Sequence, residues 1–410
     1  MFIELRTLQL PLVEGILGQH IETAAQLLEE LCRKASLSAG VPERRITAAR
    51  CEANLDALRI QGLRSVQMAT SMMESAEEVA IVAALLFAEY ELSDGRGVER
   101  ALELLAHRSP EVRENARWGM RLAMRGEIEK YLRGVLVGNG SDYPSVAVMD
   151  VLSFHRVPMI FEPMEFSAEW AEDIAVLRVE TLGRSPGTWK PQYLTAALSH
   201  ASQRVREAAL NASARSGMPS LREFCRSAIE ATSPCGEAVA FLGVVGRATD
   251  AAVLQEAATV PELAQPSIVG LGRLGNPVSV PFLLGTLDRP ELAEAAAVSI
   301  RYITGIDLPR ILSIETLHCL SDDELERCEA SAPLDISRAH DLWKANSSRF
   351  DRSKRWQWGQ CVSEDPLGPV FEQLPLAIRY EVYLRQRALV PGTPDWELET
   401  WPWKEKHPGG

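Results

Sequence analysis

The residues best suited to chemistry in this sequence are three arginines, Arg113, Arg117 and Arg121, in the segment SPEVRENARWGMRLAMRG. At spacing i, i+4 and i+8 they share one flank of a helix. A planar guanidinium fork matches a carboxylate, so the flank offers a site for a protein partner's acidic groups, with a solvated stripe as the plainer reading. A second candidate is aromatic. Trp396, Trp401 and Trp403 alternate with charges in WELETWPWKEKHPGG, and such residues are enriched where proteins grip one another; packing of a final helical turn is the plainer reading.

Other arrangements carry less. Asp142 and Asp150 flank the turn GNGSDYPS and could be read as an acid pair, with a solvated loop as the plainer reading. GLGRLG (Gly270–Gly275) fits a dinucleotide fingerprint only as a string, because it closes an apolar helix, whereas the fingerprint must follow a strand and open a helix. His318, Cys319, Cys328 and His340 form a loose group without zinc spacing. No HExxH, GxSxG or Walker-A string occurs. The expectation is no catalytic residue, no cofactor and no metal.

The elements that would position these residues follow a repeat. Glycines recur after apolar helical runs at Gly97, Gly126, Gly183, Gly217, Gly246, Gly275 and Gly305, and the intervals 29, 57, 34, 29, 29 and 30 give one beat of 29 or so, with His155 where one glycine is missing. Each beat reads as a helix opening after Pro, Ser or Asp, carrying an apolar stripe and ending at the glycine, then a shorter helix. In the arginine segment Ser109 caps, Pro110 suits the first turn, and Val112, Ala116, Gly119, Met120 and Ala123 form the stripe. Val205, Ala208, Ala209 and Ala212 repeat it, as do Leu292, Ala295, Ala296 and Ile300. Small stripe residues let helices approach closely, and a hairpin that cannot bury its own stripe must stack on a neighbour. The predicted fold is all-α, an α-solenoid of HEAT-like helical hairpins.

The ends depart from the beat. Residues 1–70 read as a helical N-terminal cap, with stripes Ile21, Ala24, Ala25, Leu28, Leu31, Cys32 and Cys51, Leu55, Leu58 joined by a connector at Ser38–Arg45. Residues 71–310 are the repeat solenoid. Residues 311–410 form a Trp-rich C-terminal cap and aromatic tail that holds six of the nine tryptophans, Trp343, Trp356 and Trp358 among them, and a further helix at Gly368–Ala388.

Composition sets the outer bounds. At 410 residues the chain exceeds one ordinary core, and its 46% apolar and 24% charged content is that of globular proteins. A net charge of −13 repels phosphate backbones, which disfavours nucleic acid. Seven scattered cysteines without a Cys-x-x-Cys pair suit free thiols in a reducing cytoplasm. The longest apolar run, Val79–Ala88, is half a membrane span and reads as a buried helix, so no membrane partner is expected.

HIETAAQLLEELCRKA and LDALRIQGL near the start, and RYITGIDL, LWKANSSRF, RWQWGQ and YLRQRA near the end, resemble an uncharacterised bacterial HEAT-like repeat family. The resemblance implies no catalytic or cofactor residues. It implies a gene neighbourhood of type VI secretion clusters, and so a role as chaperone, adaptor or immunity protein whose partner is another protein such as a secreted effector. The expected function is therefore a non-enzymatic protein–protein interaction scaffold. The competing class is a HEAT-like DNA-repair glycosylase, which requires a continuous basic groove.

Overall fold

A computed structural model describes residues 2–32, 41–90, 96–123, 126–135, 142–157, 170–185, 191–231, 235–311, 332–362, 369–390 and 393. The fold is all-α apart from one small hairpin among these residues. The chain forms two compact units: residues 1–216 with 375–380 and 393–410, and residues 217–374 with 381–392. This division falls inside the segment expected to be one solenoid, and not at 70 or 310.

The first unit opens with α1 (Phe2–Cys32), α2 (Val41–Gln61) and α3 (Leu63–Met72). The stripes expected on α1 and α2 are buried throughout. Next come α4 (Ala80–Tyr90), α5 (Arg96–Leu105), α6 (Pro110–Ala123), α7 (Gly126–Val135), α8 (Tyr143–Phe154), α9 (Glu172–Arg184), α10 (Pro191–Leu198) and α11 (Gln203–Arg215). The apolar run Val79–Ala88 is buried on every side, almost all of it in α4. Helices α4, α6, α8, α9 and α11 pack in succession, while α3, α5, α7 and α10 each lie against the helix that follows.

The second unit repeats the scheme with α12 (Leu221–Glu230), α13 (Gly236–Val245), α14 (Asp250–Ala257), α15 (Pro261–Leu274), α16 (Val280–Thr286) and α17 (Pro290–Thr304). Helices α13, α15 and α17 pack one on the next, with α12, α14 and α16 each against its successor. Contact is very close: a Cβ on Gly243 would stand 2.1 Å from the carbonyl oxygen of Gly270, so no larger residue fits between α13 and α15. In the first unit Gly119 faces α4 in the same way, and a Cβ there would stand 2.3 Å from the Ile81 oxygen.

The glycine beat marks helix ends only over its later part. Gly275 and Gly305 stop α15 and α17 at φ 70° and 68°, the left-handed backbone that a side chain resists. Gly217 (φ 69°) follows the end of α11, and Gly246 ends α13 with extended backbone. Earlier glycines depart from expectation. Gly183 lies inside α9, where a Cβ would meet Ala212 at 2.7 Å, and Gly97 and Gly126 fall at the starts of α5 and α7. Gly183 answers to interhelical distance, and spacing alone cannot separate that demand from a turn. Where the beat lacks a glycine, Arg156 adopts φ 60° just past α8, and Val157 N–H closes the turn on Leu152 O at 3.0 Å.

The remaining described elements are α18 (Ile336–Asn346), β1 (Arg355–Gln357), β2 (Gln360–Val362), α19 (Pro369–Gln373) and α20 (Leu376–Leu389). The helix expected at 368–388 is thus broken ahead of Pro375, as a proline ring disfavours α backbone in the residue before it. The β1–β2 hairpin was not expected. Trp358 and Gly359 take φ 54° and 72° in its two-residue turn. It caps helices: Trp356 N–H donates to Gly275 O (2.7 Å) and Trp358 N–H to Tyr302 O (2.6 Å), satisfying carbonyls that the ends of α15 and α17 leave open. Among the described residues no helix is long and apolar enough to cross a membrane.

Candidate functional site

Helix α6 forms as its sequence dictates. Ser109 Oγ accepts from Val112 N–H at 3.5 Å, Pro110 opens the first turn, and Val112, Ala116, Gly119, Met120 and Ala123 are all buried. The arginines do share a flank, but α8 and α9 cover it. Arg117 and Arg121 are 5% and 1% exposed. They are neither a solvated stripe nor a surface offered to a partner's carboxylates, because the chain supplies its own. Arg113 alone stays partly open, with Nη2 3.1 Å from Asp173 and its guanidinium over the Tyr143 ring.

The internal carboxylate is Asp150, and here the loop reading is corrected: the residue sits within α8 and is fully buried. Asp142 caps the same helix by accepting from Ser145 N–H, so the two aspartates form no acid pair. Arg121 grips Asp150 with two nitrogens at 2.7 and 2.6 Å; Arg117 and Arg184, the latter from the end of α9, each reach it at 2.7 Å. Burial by itself would raise the Asp150 carboxyl, but Arg121, Arg117 and Arg184 outweigh it and hold the group well below the usual carboxylate range. Arg117 also pairs with the half-exposed Glu114, and Arg121 stacks on Trp118 at 4.3 Å. Glu180 stands 3.8 Å from Arg184, so the three guanidiniums meet three carboxylates, of which Asp150 is the fully buried one. A carboxylate held ionised and enclosed in this way is a lock between α6, α8 and α9, and is unsuited to carrying protons.

The second unit has a parallel lock. Asp250, fully buried in the first turn of α14, accepts from Arg222 at 2.9 and 2.8 Å, from Arg226 at 3.4 Å, and from Arg247 N–H at 2.7 Å.

One device is repeated in the bonding. His107 Nδ1 accepts from Ser109 N–H (3.1 Å), Ser109 donates to Glu77 (2.7 Å), and Arg113 donates back to His107 O (3.3 Å). Ninety-three residues on, His200 Nδ1 accepts from Ser202 N–H (3.0 Å), Ser202 donates to Glu172 (2.6 Å), and Arg206 donates to His200 O (2.8 Å). The shared string His-x-Ser-x-x-Val-Arg-Glu was available in the sequence. It escapes a search by glycines because it marks helix starts.

The remaining candidates divide simply. Trp396, Trp401 and Trp403 lie outside the described residues, as do His318, Cys319 and Cys328. Trp343, Phe350 and Trp356 pack together in the second unit, with ring centres 5.6 and 4.9 Å apart. No group of three or more metal-ligating side chains occurs among the described residues. Gly270–Gly275 closes α15, as expected of a structural segment.

No protein-family model matches the chain, and no curated protein matches it. Among solved structures it is similar to an engineered protein at 13% identity, over 80% of this chain and 99% of that one, with a TM-score of 0.22, too low to carry an argument about fold or function.

Proposed function

We propose that this chain is a non-enzymatic scaffold for protein–protein interaction, built from stacked helical hairpins of HEAT-like type. The observation that carries the reading is the duplicated His–Ser–Arg turn at positions 107–113 and 200–206, which starts α6 and α11 with the same bonds. Equivalent starts three beats apart are what one hairpin, copied and stacked, produces, and stacked hairpins present long helix faces for gripping another protein. The family resemblance adds a refinement: an accessory of type VI secretion, acting as chaperone, adaptor or immunity protein toward a secreted effector. The net charge of −13 weighs against the glycosylase alternative.

The test is affinity capture from a bacterium carrying the gene, followed by reconstitution of each recovered protein with the purified chain. The proposal expects one protein to bind saturably, with Kd of about 10 μM or tighter. Failure of every captured protein to rebind in pure form, with tight binding of a DNA duplex instead, would overturn it.

A further inference from the structure

The second unit contains a cavity of about 690 Å³ that the scaffold reading does not use. It lies where Arg352–Arg355, leading into β1, pass the ends of α13 and α15 and one flank of α20. Five cations line it, namely Arg247, Arg352, Lys354, Arg355 and Arg385, and no acidic side chain does among the described residues. Leu274, Val362, Val382 and Leu389 supply apolar wall. The volume falls within the ordinary range for small-molecule sites.

The cations form two tiers. Arg355 and Arg385 make the floor, held by helix C-termini. Arg355 donates to Gly243 O (3.3 Å) and Arg273 O, and Arg385 to Val244 O (3.1 Å) and Gly246 O (2.5 Å). Those carbonyls are the negative ends of α13 and α15, which explains how two guanidiniums tolerate each other there. The offset is incomplete: burial, then the facing Arg385, hold Arg355 well below the usual guanidinium range despite the opposing pull of Glu381. Arg355 Nε finds no acceptor among the described residues. Arg247, Arg352 and Lys354 are exposed and form the rim. Asp351 stands close by but is bonded to Ser353 and does not line the space.

We infer that this cavity binds a small organic phosphate, its charged head between the rim cations and its apolar body against Leu274, Val362 and Val382. Guanidinium forks suit phosphate oxygens, and a charged head joined to an apolar body matches what lines the space. Size follows from charge. A long polyanion or an acidic protein would extend over a chain of net charge −13, whereas a small ligand lies within about one Debye length, ~8 Å at physiological salt, of the five cations. The inference is independent of the scaffold reading.

The test is isothermal titration of the full chain with phenyl phosphate, inorganic phosphate and phenol, and of an R352E/K354E variant. Both substituted residues are exposed, and circular dichroism with a melting curve checks that the variant folds. Phenyl phosphate is expected to bind saturably and more tightly than either fragment, to weaken as salt rises, and to lose at least about tenfold in affinity in the variant. Phenyl phosphate binding that the variant leaves unchanged would mean an adventitious ion only. Absence of saturable heat from phenyl phosphate, or binding of polyglutamate in its place, would equally overturn the inference.

Discussion

Replacing Asp150 by Asn keeps the shape of the ionic lock in the first unit and removes its central charge. Arg117, Arg121 and Arg184 would then surround a neutral amide, with half-exposed Glu114 and the more distant, partly exposed Glu180 facing three buried guanidiniums. Breaking a buried pair from one side costs about 3–5 kcal/mol, because the surviving charge stays desolvated. Whole domains are stable by only about 5–15 kcal/mol, so the substitution should remove a large share of the unit's stability. At about 2–4 °C per kcal/mol for a domain of this size, the melting point should fall by roughly 6–20 °C. Differential scanning calorimetry at neutral pH reads the shift. Arg184→Met is the informative comparison, since Asp150 keeps Arg117 and Arg121 and stays charge-compensated. That variant should lose less than half as much. A loss below about 1 kcal/mol for Asp150→Asn, or equal losses for the two variants, would refute the account of a charge-balanced lock.

Four further outcomes are expected. The Asp150 contribution should depend on pH in one direction: with the folded carboxyl held below its unfolded value of about 3.9, the stabilisation is complete above that value and fades as pH falls beneath it. Acid titration of the melting point should therefore bring wild type and Asp150→Asn together only at the acid end, and convergence nearer neutrality would count against the assignment. Ser109→Ala and Ser202→Ala should each cost about 1 kcal/mol in urea unfolding, and closely similar amounts, since each removes the same cap and the same bond to a glutamate. Gly243→Ala should destabilise the second unit by about 1–3 kcal/mol or more, because its methyl group would meet the Gly270 backbone; an unchanged unfolding midpoint would show that α13 and α15 stand farther apart. The Cys51 thiol, pushed up to about 12 first by burial and then by Glu52, should resist alkylation at pH 8 until the chain unfolds, whereas partly exposed Cys235 and Cys361 react in the native state, as peptide mass spectrometry would record.

What the chain determines by itself is local. Spacing of 3.6 placed the stripes of α1, α2, α6 and α11 on their buried faces, and Ser109, Pro110 and Gly305 marked helix ends through backbone preferences that need no distant partner. The arginine flank was also legible as a flank. What faced it was not: Asp150 lies 29 residues beyond Arg121, and only the packing of α8 on α6 turns a surface-type pattern into a buried lock. The same holds for Gly183, whose use depends on how near α11 comes, and for the cationic cavity, whose members come from Arg247, the turn leading into β1, β1 itself and α20. Helical periodicity and capping act over a few residues and so can be read along the chain. Ion pairing and close approach act through space, and their partners exist only once the helices have stacked.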